Sequence, residues 1–260
     1  MSHTQFALGL NIQGFIPPLN LLDFKLIAFD MDSTLINIEC VDEIADAVGR
    51  KAEVSAITEA AMRGEITDFK DSLRRRVSLL KGVTLGDLEA VYRDRLQLNP
   101  GAVQLVQACK NAGLKVLLVS GGFTFFADRV CERLGIDFSR ANVLEMTPPP
   151  LAALGALGVP GTSFESQLTG QLVNQPWGDI CDGLEKQRML LQTCEDLNTT
   201  PQQAIAVGDG ANDLPMMHAC SQAGGLSVAF HAKPKVREQA MVSIESGGLD
   251  RLLEVFGPSH

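Results

Sequence analysis

Asp30 and Asp32 stand two residues apart in "FDMDSTL", directly after the apolar run "KLIAF". In an extended chain such residues point to the same side, so two carboxylates face one space, with the hydroxyls of Ser33 and Thr34 next to them. Two further acids, Asp209 and Asp213, flank Asn212 in "GDGAND", which follows the apolar run "AIAV". Ser120 and Gly121 open "SGGF" after a third run, "LKVLLV". Four gathered carboxylates cannot all stay ionised without compensation. A hard divalent cation supplies it, and Mg²⁺ takes a few carboxylates while keeping waters. Main-chain N–H groups of glycine turns near helix starts suit a phosphate. The chemistry these residue types can do together is that of a phosphate and Mg²⁺.

Each stretch alone has an ordinary explanation: an acidic loop with capping residues, a tight turn after a strand, a capped helix start. Their recurrence after three apolar runs shifts the weight. Runs that are apolar at every position suit strands buried on both faces. Strands alternating with helical patterns predict an α/β fold with a doubly wound, parallel, Rossmann-like sheet. Such sheets bind ligands outside the carboxyl ends of their strands. Asp30, Asp32, Ser120, Asp209, Asn212 and Asp213 are therefore expected in one crevice. A fourth run, "SVAF" at 227–230, precedes Pro234, which is well placed as a first helical residue.

Residues 38–98 hold no strand-like run and read as several helices, from "ECVDEIADAVG" to "TLGDLEAVYRDRLQ". An ordinary crossover is one helix, so this segment is expected to be an inserted all-helical cap. The core then comprises 21–37 and 99–260, after an N-terminal segment 1–20, and Pro100 is expected to open the helix that re-enters it. Residues 147–166, rich in Pro, Gly, Ala and Leu, predict a long surface loop.

Two cap residues and one core lysine need weighing. In "DFKDSLRRRVSLLKG" the apolar stripe is Phe69, Leu73, Val77 and Leu80. At about 100° per residue Arg74 and Arg75 fall off that stripe and Arg76 falls on it. A buried arginine needs an anionic partner; ligand binding stands even with the ordinary roles, a snorkelling stem along the surface or a pair with a protein carboxylate. Glu39 reads first as an acid favoured by a helix start. Lys186 is not singled out by spacing, and Lys110, Lys115 and Lys233 compete for the charge near a phosphate.

Net charge is −9, with 45% hydrophobic and 20% charged residues. That balance argues against nucleic-acid and anionic-membrane partners. The first twenty residues have no basic leader, and no run is long enough to span a bilayer. Six scattered cysteines read as reduced thiols of a cytoplasmic protein. The histidines, four in all, are scattered too, which supports neither a zinc site nor a histidine triad.

Assembled, these motifs resemble the haloacid dehalogenase superfamily, from about Lys25 to the C-terminus outside 147–166. "FDMDSTL" is similar to its first motif, "SGGF" to the second, Lys186 to the third and "GDGANDLPM" to the fourth. "IECVDEIA", "AMRGEI", "SLRRRVSLLKG" and "FHAKPKV" resemble its phosphoserine phosphatases. The resemblance implies Mg²⁺-dependent hydrolysis of O-phosphoserine to serine and phosphate, the last step of serine synthesis. It implies Asp30 as the nucleophile forming an aspartyl phosphate, and Asp32 as general acid/base. It implies Ser120, Gly121, Lys186 and Asn212 around the phosphoryl group. The implied metal ligands are Asp30, the Asp32 carbonyl and Asp209, supported by Asp213, with Glu39 and Arg76 on the amino-acid end.

"GEITDF" is one residue longer than the family's spacing, which blurs Met62 and Phe69 as substrate-covering residues but not Arg76. Only about 24 residues precede the first strand, so a regulatory N-terminal domain is not expected. The state is expected to be a monomer or homodimer. The neighbouring alternative is a phosphatase or phosphotransferase of the same superfamily acting on another small phosphorylated amino acid or metabolite. A receiver-like regulator would need the acidic pocket but neither the helical segment nor Asp32.

Overall fold

The structure, a computed structural model, describes residues 4–62, 65–147, 165–178 and 180–257. The strands are β1 (Thr4–Ala7), β2 (Leu10–Ile12), β3 (Leu26–Phe29), β4 (Lys115–Phe123), β5 (Phe138–Asn142), β6 (Leu144–Met146), β7 (Leu168–Leu172), β8 (Ala204–Gly208), β9 (Leu226–Phe230) and β10 (Val242–Ile244). Eight of them form one sheet in the order β1-β2-β10-β9-β8-β3-β4-β5. Neighbours from β10 through to β5 are parallel, and β2 pairs antiparallel with both β10 and β1. β6 and β7 make a separate antiparallel pair.

The helices are α1 (Cys40–Ala47), α2 (Lys51–Met62), α3 (Phe69–Ser78), α4 (Leu85–Asp94), α5 (Ala102–Asn111), α6 (Thr124–Leu134), α7 (Gly183–Asp196), α8 (Leu214–Ala223) and α9 (Pro234–Arg237). Alternation along the central strands sorts the core into two layers. Ile27, Phe29, Val116, Leu118, Ile205, Val207 and Phe230 pack with Leu105 and Val106 of α5 and with Phe126 and Val130 of α6. Ala28, Leu117, Val119, Ala204, Ala206 and Ala229 pack with Leu190 of α7 and with Met216 and Met217 of α8. The second face is lined largely by alanine, which suits close helix approach. The doubly wound reading from the apolar runs holds.

The excursion after β3 contains α1 to α4, and its two linkers lie side by side. Ile36 and Leu98 form an antiparallel bridge, Asn37 N donates to Gln97 O at 3.0 Å and Gln97 N donates to Asn37 Oδ1 at 2.7 Å. Asn99 Nδ2 caps the main chain of the first motif at Thr34 O, 2.8 Å, and Ile36 O, 3.0 Å. The β6–β7 pair also ties into the excursion: Leu168 N donates to Val83 O at 2.8 Å and Gly82 N to Leu168 O at 2.9 Å.

Two expectations need correction. Pro100 does not open the re-entrant helix; α5 starts at Ala102 with Gly101 as its N-cap at φ 79°. A side chain at 101 would also run into Asp250, 2.1 Å from its Oδ1, so glycine sets this boundary. The N-terminal segment is not free of strands, since β1 and β2 extend the sheet from its β10 edge. Most of the expected loop 147–166, the Met62 side chain and Gly64 lie outside the described residues. All six cysteines are free thiols. Among the described residues no helix is long and apolar enough to cross a membrane.

Candidate active site

β3, buried at every residue, delivers Asp30 at the carboxyl edge of the sheet. The chain then turns sharply through Met31–Leu35, with Ser33 at φ 56°. That turn leaves Asp32 half-buried beside Asp30's strand end, and its carboxylate is held by the start of α1. Cys40 N donates to Asp32 Oδ2 at 3.0 Å and Cys40 Sγ to Oδ1 at 3.1 Å. Ser33 Oγ donates to Glu39 Oε1 at 2.6 Å.

Lys186 is completely buried in the first turn of α7. Asp182 caps that helix by accepting from Glu185 N at 2.9 Å. Helical side chains lean toward the N-terminus, which aims Lys186 at the sheet edge. Its Nζ lies 2.6 Å from Asp30 Oδ1 and 2.7 Å from Asp213 Oδ1. The competing lysines are elsewhere: Lys110 donates to Gly135 O, Lys115 pairs with Asp137 at 2.7 Å, and Lys233 is exposed at the start of α9.

Asp209, Asn212 and Asp213 share the turn after β8. Asp213 Oδ2 accepts from Asp209 N at 3.1 Å and Gly210 N at 2.9 Å. Asp209 Oδ1 accepts from Thr34 Oγ1 at 3.1 Å, which ties this turn to the first motif. Carboxylate oxygens of Asp30, Asp209 and Asp213 all lie within 4.8 Å of one another. Both Asp213 oxygens are engaged by the protein, so Asp213 supports the cluster while Asp30 and Asp209 keep lone pairs for a cation. An all-oxygen, acid-rich donor set of this kind fits a hard divalent metal.

Ser120 sits on β4, and its Oγ accepts from Gly122 N at 2.8 Å. Its own O–H therefore remains available to donate. A Cβ on Gly122 would lie 2.9 Å from Met31 Cε and 3.1 Å from Asp32 Oδ1, so glycine lets β4 close against the first motif. At Gly121 a Cβ would meet Phe69 Cζ at 3.3 Å, which puts the start of α3 over this turn. Lys70, one residue on, pairs with Asp182 at 3.2 Å. Arg76 is half-buried while Arg74 and Arg75 are exposed, as the helical stripe predicts. Asp42, Glu39 and Asp32 are the carboxylates that act on it. The expected residues thus come together around one crevice, with Glu39 on its exposed rim.

Several contributing residues were not legible. The sequence marks Thr34 only as a hydroxyl beside the acids and Cys40 only as one of six scattered reduced thiols. Asn142 carried no signal at all, yet it donates to Gly121 O at 2.7 Å and accepts from Cys181 N at 2.7 Å. It thereby couples the Ser120–Gly121 turn to the segment that leads into α7.

The electrostatics follow from the crowding. Burial, then Asp213, pushes the Asp30 carboxyl well above the usual range against the pull of Lys186. Burial and then Asp213 raise Asp209 to about 7. Burial and then Glu39 raise Asp32 to about 7, opposed by the Cys40 hydrogen bonds. Burial pulls Lys186 down, but attraction to Asp213 and Asp30 more than reverses this and keeps it charged.

Residues 24–221 match the family model described as haloacid dehalogenase-like hydrolase. A phosphoserine phosphatase of Albidiferax ferrireducens is 66% identical over 258 residues, 99% of this chain and 100% of that protein. A substrate-bound phosphoserine phosphatase complex superposes with a TM-score of 0.72 at 35% identity, covering 90% of this chain and 99% of the other. A phospho-aspartyl intermediate analogue of phosphoserine phosphatase gives the same figures. With the motif residues gathered at one sheet edge and a family match over most of its length, the chain belongs to the haloacid dehalogenase-like hydrolases.

Proposed function

We propose that this enzyme hydrolyses O-phospho-L-serine to serine and phosphate through an aspartyl phosphate, with Mg²⁺. The observation that carries the substrate is at the mouth of the crevice. Arg76 Nε is buried without an acceptor, in a region it shares with Glu39. An unsatisfied buried donor is costly, and a substrate carboxylate satisfies it, while Glu39 takes the ammonium. The two solved structures named above, one substrate-bound and one a phospho-aspartyl intermediate analogue, are phosphoserine phosphatases, which agrees.

In this reading Asp30 attacks phosphorus as the bond to the serine oxygen breaks. Asp32 gives its proton to that oxygen, then takes one from the water that cleaves the aspartyl phosphate. A carboxyl raised to about 7 suits both roles near neutral pH. The Ser120 hydroxyl, Gly121 N–H, Lys186 and Asn212 hold the phosphoryl oxygens, because catalysis here is chiefly positioning and charge neutralisation. Asp30, the Asp32 carbonyl and Asp209 would hold Mg²⁺, with Asp213 in support. When bound, the cation neutralises phosphoryl charge. We assign 38–98 as a cap whose α3 covers the site, and 21–37 with 99–260 as the core. The free thiols support a reducing, cytoplasmic setting.

The test is phosphate release with Mg²⁺ from O-phospho-L-serine, O-phospho-L-threonine, phosphotyrosine and glucose 6-phosphate. Phosphoserine should be preferred by at least about tenfold in kcat/KM; equal rates on the sugar phosphate would remove the reading.

Cation binding should also depend on pH. Asp209, raised to about 7, is partly protonated near neutral pH in the metal-free protein, and the Asp30 carboxyl beside it is raised as well. Only ionised carboxylates bind the cation, so binding releases protons and weakens as pH falls below about 7. Titration calorimetry in buffers of different ionisation heat measures this directly. Affinity that stays constant from about pH 6 to 8 would contradict it.

A further inference from the structure

The turn Met31–Leu35 carries Asp32 and the Thr34 hydroxyl that holds Asp209. It closes with Ile36 N donating to Met31 O at 3.0 Å. No helix continues past it, because Ile36 is extended at φ −119° and ψ 159°. The last carbonyls of the turn therefore have no following N–H groups to meet them. Thr34, Leu35 and Ile36 are fully buried, so water does not reach those carbonyls either. Buried carbonyls need donors from somewhere.

Asn99 supplies them. Its Nδ2 lies 2.8 Å from Thr34 O, 3.0 Å from Ile36 O and 3.4 Å from Ser33 O. An amide has two hydrogens, so the two shorter contacts are the bonds and the third is weak. The Asn99 main-chain N–H donates to Leu35 O at 2.9 Å. One residue of the linker returning from α4 thus meets each carbonyl from Ser33 to Ile36. Asn99 is itself anchored on the core side. Its own carbonyl accepts from Ala102 N at 3.1 Å, where α5 begins, and Pro100 O accepts from Leu249 N at 2.7 Å. The neighbouring bonds between the two linkers lie outside the turn: Asn37 N to Gln97 O, and Gln97 N to Asn37 Oδ1 at 2.7 Å.

We propose that Asn99 is a positioning residue for phosphoryl transfer: it pins the Met31–Leu35 turn to the core, and through that turn it sets where Asp32 stands beside Asp30. The inference rests on the phosphoserine reading above and adds to it a residue that lies outside all four motif stretches. Without the Asn99 amide, the carbonyls of Thr34 and Ile36 lose their donors and the turn shifts to find others. A shift of about 1 Å in a reacting group can cost on the order of a hundredfold in rate.

The test compares two amides on adjacent linkers. Steady-state kcat and KM for O-phospho-L-serine, at saturating Mg²⁺, are measured on the parent, Asn99→Ala, Asn99→Ser and Asn37→Ala. Thermal melts fix a temperature at which each is folded. Asn99→Ala should lower kcat by at least about tenfold. KM should stay within about threefold, because Glu39 and Arg76 stand on the helical excursion and not on the turn. Asn37→Ala removes a bond between the linkers without touching the turn, and its kcat should stay within about twofold of the parent. If Asn99→Ala and Asn37→Ala have the same kcat, Asn99 only fastens the linkers and the proposal fails. A loss confined to KM overturns it as well. Should Asn99→Ala not fold, Asn99→Ser, which keeps one donor at shorter reach, is judged against Asn37→Ala by the same criteria. A parent that does not prefer phosphoserine in the wider panel removes the functional reading itself, a result separable from parent-like kcat in the Asn99 variants.

Discussion

Asp30→Asn should leave a folded protein that releases no measurable phosphate from O-phosphoserine. Asparagine keeps the shape and an oxygen for the Lys186 ammonium, now 2.6 Å from Asp30 Oδ1. It removes the charge that makes the side chain a nucleophile. Loss of a nucleophile in other enzymes costs about six orders of magnitude in kcat, and a fall of at least about four is expected here. The variant should not be less stable without metal. Asp30, Asp209 and Asp213 crowd within 4.8 Å around one lysine, so removing one charge relieves repulsion. Thermal melts in a chelating buffer check the fold, and phosphate release checks the activity. A folded variant with retained turnover would falsify the nucleophile assignment.

How far the site could be read in advance follows from where its information lies. Asp30 and Asp209 were legible because each ends a run buried on both faces, β3 and β8, and a charge there has nowhere to sit but the sheet edge. Arg76 was legible because the helix period places it apart from Arg74 and Arg75. Lys186 was not. Its position depends on the Asp182 cap and on the close approach of Gly183 to Asn212 O, 2.8 Å from where a Cβ would stand, and both are tertiary facts. Asn142 was hidden for a similar reason. It ends β5, an edge strand whose sequence "FSRAN" has no apolar run, so neither the strand nor its terminal amide announced itself. β1 and β2 are only four and three residues long, too short for alternation to stand out.

The helical excursion also shows why a site can be both rigid and accessible. Asp32 is gripped by Cys40 of α1, Gly121 is covered by Phe69 of α3, and Lys70 pairs with Asp182. Residues before and after 38–98 are therefore fastened to it around the crevice. A partly exposed ion pair such as Lys70–Asp182 contributes no more than about 1 kcal/mol, so the fastening is easily released. The buried contacts beneath it are not.

Lys186→Met should destabilise the metal-free protein more than any other single change in the crevice, and by an amount that grows with pH. Methionine keeps most of the stem's volume, so packing is largely preserved. What is lost is, among the described residues, the only positive charge in contact with both Asp30 and Asp213, each fully or nearly fully buried. Breaking a buried ion pair by removing one partner costs about 3–5 kcal/mol. The direction with pH follows from the acids left behind. Without Lys186 the Asp30 carboxyl, already raised by burial and by Asp213, rises further above its unfolded value. The native state then holds more protons than the unfolded state, so stability falls as pH rises. At about pH 5 the carboxyls can protonate and much of the loss should vanish, whereas at about pH 8 it should be complete. Added Mg²⁺ should recover part of the stability at the higher pH, because a cation binding only the native state stabilises it by mass action. It should not restore turnover, since the phosphoryl group still lacks its buried ammonium. Urea unfolding at the two pH values, with and without Mg²⁺, measures all of these arms. A loss equal at both pH values and indifferent to the cation would mean that Lys186 acts by filling space, and the charge balance drawn here for the crevice would be wrong.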